Sequence, residues 1–238
     1  MLGPDALSRC SVRETPTMTS KDRSKLIRQI KSKKVGERVA ATRSMWKSGD
    51  STFGAVILEA LKNETLHDPS VWKSKCLMIA ALGDLRYRPA LRFLKALVSR
   101  DFQSATIIYA ELAMAICQLI PIRSDKMDYV WATMKSPKPL LVCGAYHAIY
   151  YLKLDLQEDE IIPLIRFARE YSRRHPDDEQ LSCMPRDYLA AAASRWKGKA
   201  VRDFLISCRA SKFPHLQEIA SSSLKGDPSD DSRLGWYK

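Results

Sequence analysis

A short pattern of small residues followed by one large apolar residue recurs six times along this chain of 238 residues. It reads AATRSMW, CLMIAALG, ELAMAIC, GAYHAIYY, AAAASRW and EIASSSLKG in chain order. The large residues are Met45, Leu82, Ile116, Ile149, Trp196 and Leu224. They are 37, 34, 33, 47 and 28 positions apart, and a period in the mid-thirties is long enough for two helices per unit. Such a chain is expected to stack helical hairpins on one another.

Helix start and stop signals divide the chain into matching segments. Breaks that contain Gly or Pro separate apolar-periodic stretches, and no strand-like alternation occurs. Thr19 and Ser20 are good N-cap residues, so the first helix is predicted to begin there. The predicted helices span 20–34, 36–48, 51–63, 69–82, 87–99, 103–120, 124–135, 139–153, 158–174, 185–197, 199–211 and 214–224. We expect a flexible leader over 1–18, one all-α domain over 19–224 without a sheet, and a flexible tail over 225–238.

Cysteine spacing and the apolar segments bear on the compartment. The six cysteines are at least 25 residues apart, so no pair has the spacing of a zinc site or a redox motif. The first twenty residues lack the apolar segment of a secretory signal, which favours a cytoplasmic protein with reduced thiols. Residues 105–122 are apolar with the single charge Glu111 and a proline near the end. We predict a helix buried among other helices there, and no membrane span.

Two segments of the chain carry a family resemblance. Residues 81–98, ALGDLRYRPALRFLKALV, join a helix that ends in Ala-Leu-Gly-Asp to a second helix that opens with a proline. Residues 159–170, DEIIPLIRFARE, have a proline in the matching place. Both segments resemble the HEAT repeat in its short bacterial form, which is also seen in phycobilin-lyase-like proteins. The resemblance implies a right-handed α–α superhelix, a solenoid of five to six helical hairpins whose second helices line its concave face.

No recognisable catalytic constellation is present in the sequence. The four histidines occur singly, and there is no glycine-rich phosphate loop, no GxSxG motif and no cysteine with an evident base partner. His147 lies in an apolar helix and is interpreted as a core residue, and Glu111 as a half-buried carboxylate paired with a cation. We predict no catalytic residue, no metal ligand and no cofactor. These observations favour a non-enzymatic protein, although the sequence does not exclude an enzyme.

Basic residues recur on one face of three predicted second helices. Within each helix they are three, four or seven positions apart, so they share a face opposite the apolar residues. The predicted binding residues are Arg88, Arg92, Lys95, Arg166, Arg169, Arg173, Arg202 and Arg209. In a solenoid these stripes would stack into one basic groove. The alternative interpretation is that they are ordinary solvated helix faces, because long basic side chains readily cover apolar surface.

The net charge of +12 is divided unevenly along the chain. Residues 1–36 carry +6 and the other 202 residues also carry +6. Half of the excess charge therefore lies outside most of the repeats, in the leader and in a basic first helix. That helix is interpreted as the cap of the first repeat; an arm that binds an anionic membrane or nucleic acid is the alternative.

These observations leave three functional hypotheses. The first is a non-enzymatic, monomeric adaptor, scaffold or immunity-type inhibitor that holds an acidic protein surface or peptide in the basic groove. The second is nucleic-acid binding, because size, helix count and charge are similar to those of HEAT-like alkylpurine DNA glycosylases. The third is a lyase or isomerase acting on a tetrapyrrole, which the family resemblance implies and which would need an exposed Cys183 or Cys208.

Overall fold

The computed structural model describes residues 19–67, 71–102, 106–175 and 184–226. Within these ranges the chain forms twelve α-helices and no strand, which confirms the all-α prediction. The helices are α1 (Ser20–Gln29), α2 (Val35–Lys47), α3 (Gly54–His67), α4 (Trp72–Asp84), α5 (Leu91–Leu97), α6 (Ile107–Leu119), α7 (Arg123–Thr133), α8 (Pro139–Tyr151), α9 (Glu158–Arg174), α10 (Pro185–Ala192), α11 (Lys199–Arg209) and α12 (Pro214–Leu224). The predicted leader, and the predicted tail after Gly226, lie outside the described residues.

The helices form two layers. Each even-numbered helix from α2 to α12 packs against the next even-numbered helix, and we call these six the inner layer. Each odd-numbered helix packs on the even-numbered helix that follows it, which makes six hairpins with an outer layer of α1, α3, α5, α7, α9 and α11. All six copies of the small-residue pattern begin in inner-layer helices. The arrangement is compatible with an α-solenoid, while its handedness and its HEAT character stay predictions.

Small residues bring the inner helices close together. At Gly144 of α8, an added Cβ would lie 2.7 Å from the Cα of Ala110 in α6. At Gly83 of α4, it would lie 2.9 Å from the Cα of Ala115 in α6. Because atoms of a real side chain do not approach so closely, glycine is required at both helix contacts.

The apolar segment over 105–122 forms part of this inner layer. Helix α6 has 13 residues and is buried over almost its whole length between α4 and α8, as predicted. The predicted core residue His147 and the carboxylate of Glu111 are also buried. No helix in the described part of the chain is long and apolar enough to cross a membrane.

Two helix ends show how local side chains set the boundaries. Thr19 caps α1 as predicted, and its side-chain oxygen accepts a hydrogen bond from the Asp22 amide at 3.2 Å. The helix ends at Gln29, however, and not at residue 34. The Ser32 hydroxyl accepts a hydrogen bond from the Lys34 amide at 3.1 Å, and such a local turn competes with helix continuation.

Helix α9 is the longest helix, with 17 residues, and its amphipathic face docks it onto the inner layer. A capping box between Gln157 and Glu160 begins it. Its apolar side is buried, and the Tyr146 hydroxyl of α8 donates a hydrogen bond to the Leu164 carbonyl at 3.1 Å. The opposite side is left to solvent, and that side carries the predicted arginines.

Candidate functional site

A cavity of about 860 Å³ opens between the outer helices α9 and α11, with the start of α10 contributing to its lining. We call it the arginine cavity. Arg166, Arg169 and Arg173 line it from α9, at the i, i+3 and i+7 positions of one helix face. Among the outer helices, α9 and α11 have the most extensive direct contact in the described structure, so the cavity has two fixed walls.

Two of the arginines are tied to the opposite wall. The Arg169 guanidinium lies 3.4 Å from the Ser207 hydroxyl oxygen and 5.7 Å from the ring centroid of Phe204, both on α11. Arg186, near the start of α10, donates a hydrogen bond to the Ser207 carbonyl at 3.3 Å. These contacts hold two guanidinium groups in place against α11.

Two arginines of the arginine cavity form no ion pair with another described residue. Neither Arg166 nor Arg173 has an ion-pair partner within the described ranges, and Asp203 of α11 is the one acidic residue among the described lining residues. The described lining therefore holds four arginines and one carboxylate. Helix α9 does pair its next arginine, since Arg174 contacts Glu170 and this hydrogen bond lowers the pKa of the Glu170 carboxyl.

Ser172 adds a neutral donor to the lining of the same cavity. Its side chain is buried, at 6% exposure, and its hydroxyl has no hydrogen-bond partner among the described residues. Buried hydroxyl groups are usually paired, because an unmade hydrogen bond costs about 1–3 kcal/mol. An anion bound beside the arginines would give this hydroxyl an acceptor.

Arg202 and Arg209 of α11 do not line the arginine cavity. They line a second cavity of about 650 Å³ on another face of the same helix, toward the end of α12, which we call the C-terminal cavity. The residues that α11 contributes to the arginine cavity are Ala200, Asp203 and Ser207. The sequence pattern placed five arginines on matching faces, and the structure divides them between two cavities.

The three remaining predicted residues lie on a separate part of the outer layer. Arg88 is in the 3₁₀ turn Arg88–Ala90 that precedes α5, and Arg92 and Lys95 are exposed on α5 itself. They line neither cavity. In chain order α7 comes between α5 and α9, and it exposes Asp125 and Asp128. One groove that joins all eight residues therefore stays a prediction.

Sequence reasoning did not include Arg186, Ser172 and Ser207 in the site. Arg186 belongs to an inner-layer helix, and the basic stripes were predicted only on the second helices of the units. It reaches the cavity because it follows Pro185 in the first turn of α10, where the chain enters the layer. The two serines are polar residues on helices and carry no motif, so nothing in the sequence separates them from other helix-surface serines.

The described cysteine thiols are all buried. Burial raises the pKa of the Cys208 thiol, and the side chain has 0% exposure. Cys208 therefore does not meet the exposure that the tetrapyrrole hypothesis requires, and that part of the hypothesis is wrong. Cys183 lies outside the described residues. No group of three or more potential metal ligands occurs among the described side chains.

Comparisons of the chain with known protein families, with characterised proteins and with solved structures find no match.

Proposed function

We propose that this protein is a non-enzymatic binding protein that holds an acidic segment of a protein partner in the arginine cavity. The observation that carries the proposal is the set of four arginines and one carboxylate among the described lining residues, in a cavity with two packed helical walls. An adaptor or an inhibitor would use such a surface to engage an anionic partner.

The chemistry of the cavity favours a protein segment with both carboxylates and apolar side chains. Guanidinium groups bind carboxylates in a two-pronged geometry, and the rigid fork makes arginine more selective than lysine. Ile162, with 37% exposure, and the buried Ile165 lie in the same lining, so an apolar side chain of the ligand would find contact beside its acidic neighbours. A volume of about 860 Å³ is large enough for several side chains.

The test compares charge reversal in the cavity with the same reversal elsewhere. A fluorescein-labelled peptide of alternating Glu and Leu is titrated by anisotropy against the wild-type chain, against Arg166→Glu/Arg173→Glu, and against Arg92→Glu/Lys95→Glu on α5. We expect the first variant to lose at least about tenfold in affinity, because each charged hydrogen bond contributes about 1.5–3 kcal/mol. The α5 variant, with the same change in net charge, should stay within about twofold of wild type.

Equal losses of peptide affinity in both variants would contradict binding in the arginine cavity. They would favour the single groove that was predicted from the sequence. A peptide with Gln in place of Glu controls for the apolar contribution. A duplex oligonucleotide titrated at two salt concentrations addresses the alternative hypothesis: duplex binding that is stronger than peptide binding and falls steeply with salt would overturn the proposal in favour of nucleic acid.

A further inference from the structure

The C-terminal cavity has an unusual charge composition for its size. Lys197, Arg202, Arg209 and Lys225 all line it, and no acidic residue does so among the described residues. Each of these cations is exposed, and none has an ion-pair partner in the described part of the chain. Among the described residues, four like charges therefore surround a volume of about 650 Å³, an arrangement that favours the entry of an anion.

The backbone at the entrance to α11 adds to this positive field. Gly198 is the N-cap residue of α11 and lines the cavity, and it contributes no side chain to cap the helix. The first backbone hydrogen bond of the helix runs from the Arg202 amide to the Gly198 carbonyl at 3.2 Å, so the earlier amides have no partner within the helix. Gly198 has φ 117°, a conformation that disfavours any residue with a Cβ, so the N-cap residue itself offers no capping side chain. A carboxylate oxygen of Glu158 lies 3.8 Å from the position that such a Cβ would take, and a bound anion would have to sit away from it.

A buried hydroxyl in the lining is also without a partner. Ser223 of α12 is 5% exposed, lines the cavity, and its hydroxyl makes no hydrogen bond to another described residue. Serine within a helix commonly donates to the carbonyl four residues earlier, and Ser221 does so to Gln217 at 2.7 Å. Ser223 has a donor to spare beside four cations, and this observation is independent of the charges.

We propose that the C-terminal cavity binds a small organic phosphate, with its phosphoryl group held by Lys197 and Arg202 near the start of α11, and with Arg209, two turns further along the same face, as a third cation for the anion. A phosphoryl dianion matches several cations without an acid better than a single carboxylate does. The cavity is larger than a phosphoryl group, and Trp196, Val201 and Leu205 in its lining provide apolar contact for the rest of the molecule. This site is separate from the arginine cavity and does not depend on the function proposed for it.

The proposal is tested by isothermal titration of phenyl phosphate and of inorganic phosphate at constant ionic strength. We expect phenyl phosphate to bind once per chain and more tightly than inorganic phosphate, because it also fills the apolar part of the cavity. Arg202→Gln/Arg209→Gln should weaken binding by at least about tenfold, and Ser223→Ala by a few-fold. Arg166→Gln/Arg173→Gln removes the same charge from the arginine cavity and should leave this binding unchanged.

A measurement on the wild-type chain covers the case in which a variant fails to fold. An arginine-specific dicarbonyl reagent is applied with and without phenyl phosphate, and the modified positions are mapped by mass spectrometry. The ligand should protect Arg202 and Arg209, and leave Arg92 as reactive as before. Protection of Arg166 and Arg173 alone, or binding that is lost equally in both double variants, would overturn the site. If the wild-type chain binds phenyl phosphate as expected but binds no acidic peptide, only the proposed function is overturned.

Discussion

Helices α8 and α9 are neighbours in the chain and differ in what they do for the molecule. In α8 every residue from 141 to 150 is buried, and its one glycine allows the helix to lie against α6. In α9 one face is buried against the inner layer and the other presents arginines to a cavity. The two layers therefore differ in role. The inner helices supply the packing contacts between hairpins, and the outer helices have a solvated face that can carry charged side chains.

The physical reason for this division is the cost of burying charge. A helix that is enclosed on all sides cannot carry an unpaired guanidinium, because removal of that ion from water costs several kcal/mol. A helix with one solvated face can carry it with little penalty. Substitutions in the inner layer should therefore change stability, and substitutions of the outer arginines should change binding.

The largest expected effect is on thiol reactivity in the inner layer, which should differ between the folded and the unfolded chain. Burial raises the pKa of Cys117 in α6 to about 12, from the 9.0 of an ordinary thiol. Since the thiolate is the reactive form, the folded chain at pH 8 should alkylate Cys117 about a thousandfold more slowly than the unfolded chain does. Mass spectrometry of peptides after timed iodoacetamide treatment measures this rate. Alkylation of Cys117 at the rate seen in urea would show that the inner layer is open.

The same shift gives a pH dependence of stability. Above about pH 9 the unfolded chain releases the Cys117 proton while the folded chain retains it, so the free energy of unfolding should fall as pH rises from 9 toward 12. A Cys117→Ser variant lacks this thiol and serves as the control. The two chains should converge in their pH slopes below pH 9.

A substitution at the tightest inner contact should have the next largest effect. Gly144→Val places a Cβ in the space of the Ala110 backbone, so α6 and α8 must separate. We expect the free energy of unfolding to fall by about 3 kcal/mol or more, measured by urea denaturation. Gly36→Ala in α2 is the matched control, because a Cβ there meets nothing within 4 Å. The control should gain about 0.5 kcal/mol from helix propensity. A similar loss in both variants would show that the close contact between α8 and α6 is not the cause of the destabilisation.

The smallest effect is expected at the outer arginines. Arg173→Gln removes one of four arginines around the arginine cavity and breaks no ion pair within the described residues. We expect the free energy of unfolding to rise by about 0.5 kcal/mol at low ionic strength, and the gain to vanish in 0.5 M salt as repulsion is screened. A loss of more than 1 kcal/mol would show that Arg173 is a structural residue, and would weaken the case for a binding role.

The periodicity of the sequence accounts for most of the fold. Helices were predicted at all twelve places where the structure has them, and the recurrent small residues correctly indicated a common packing role. Boundaries were less accurate where a side chain competes with the helix, as Ser32 does after α1. The helix that begins near residue 87 was also predicted as one element, but the structure starts it with a 3₁₀ turn that contains Pro89.

Less of the candidate sites could be predicted. Spacing alone placed Arg166, Arg169 and Arg173 on one face of a helix, because 3.6 residues per turn is a local property of the chain. Which face of α11 would meet α9 depends on how the two helices pack, and that is set by contacts between residues far apart in sequence. For this reason Arg202 and Arg209 lie in the C-terminal cavity, while Arg186 from the start of α10 joins the arginine cavity. Local periodicity was sufficient for helices and charged faces, and long-range packing was needed to turn those faces into two separate cavities.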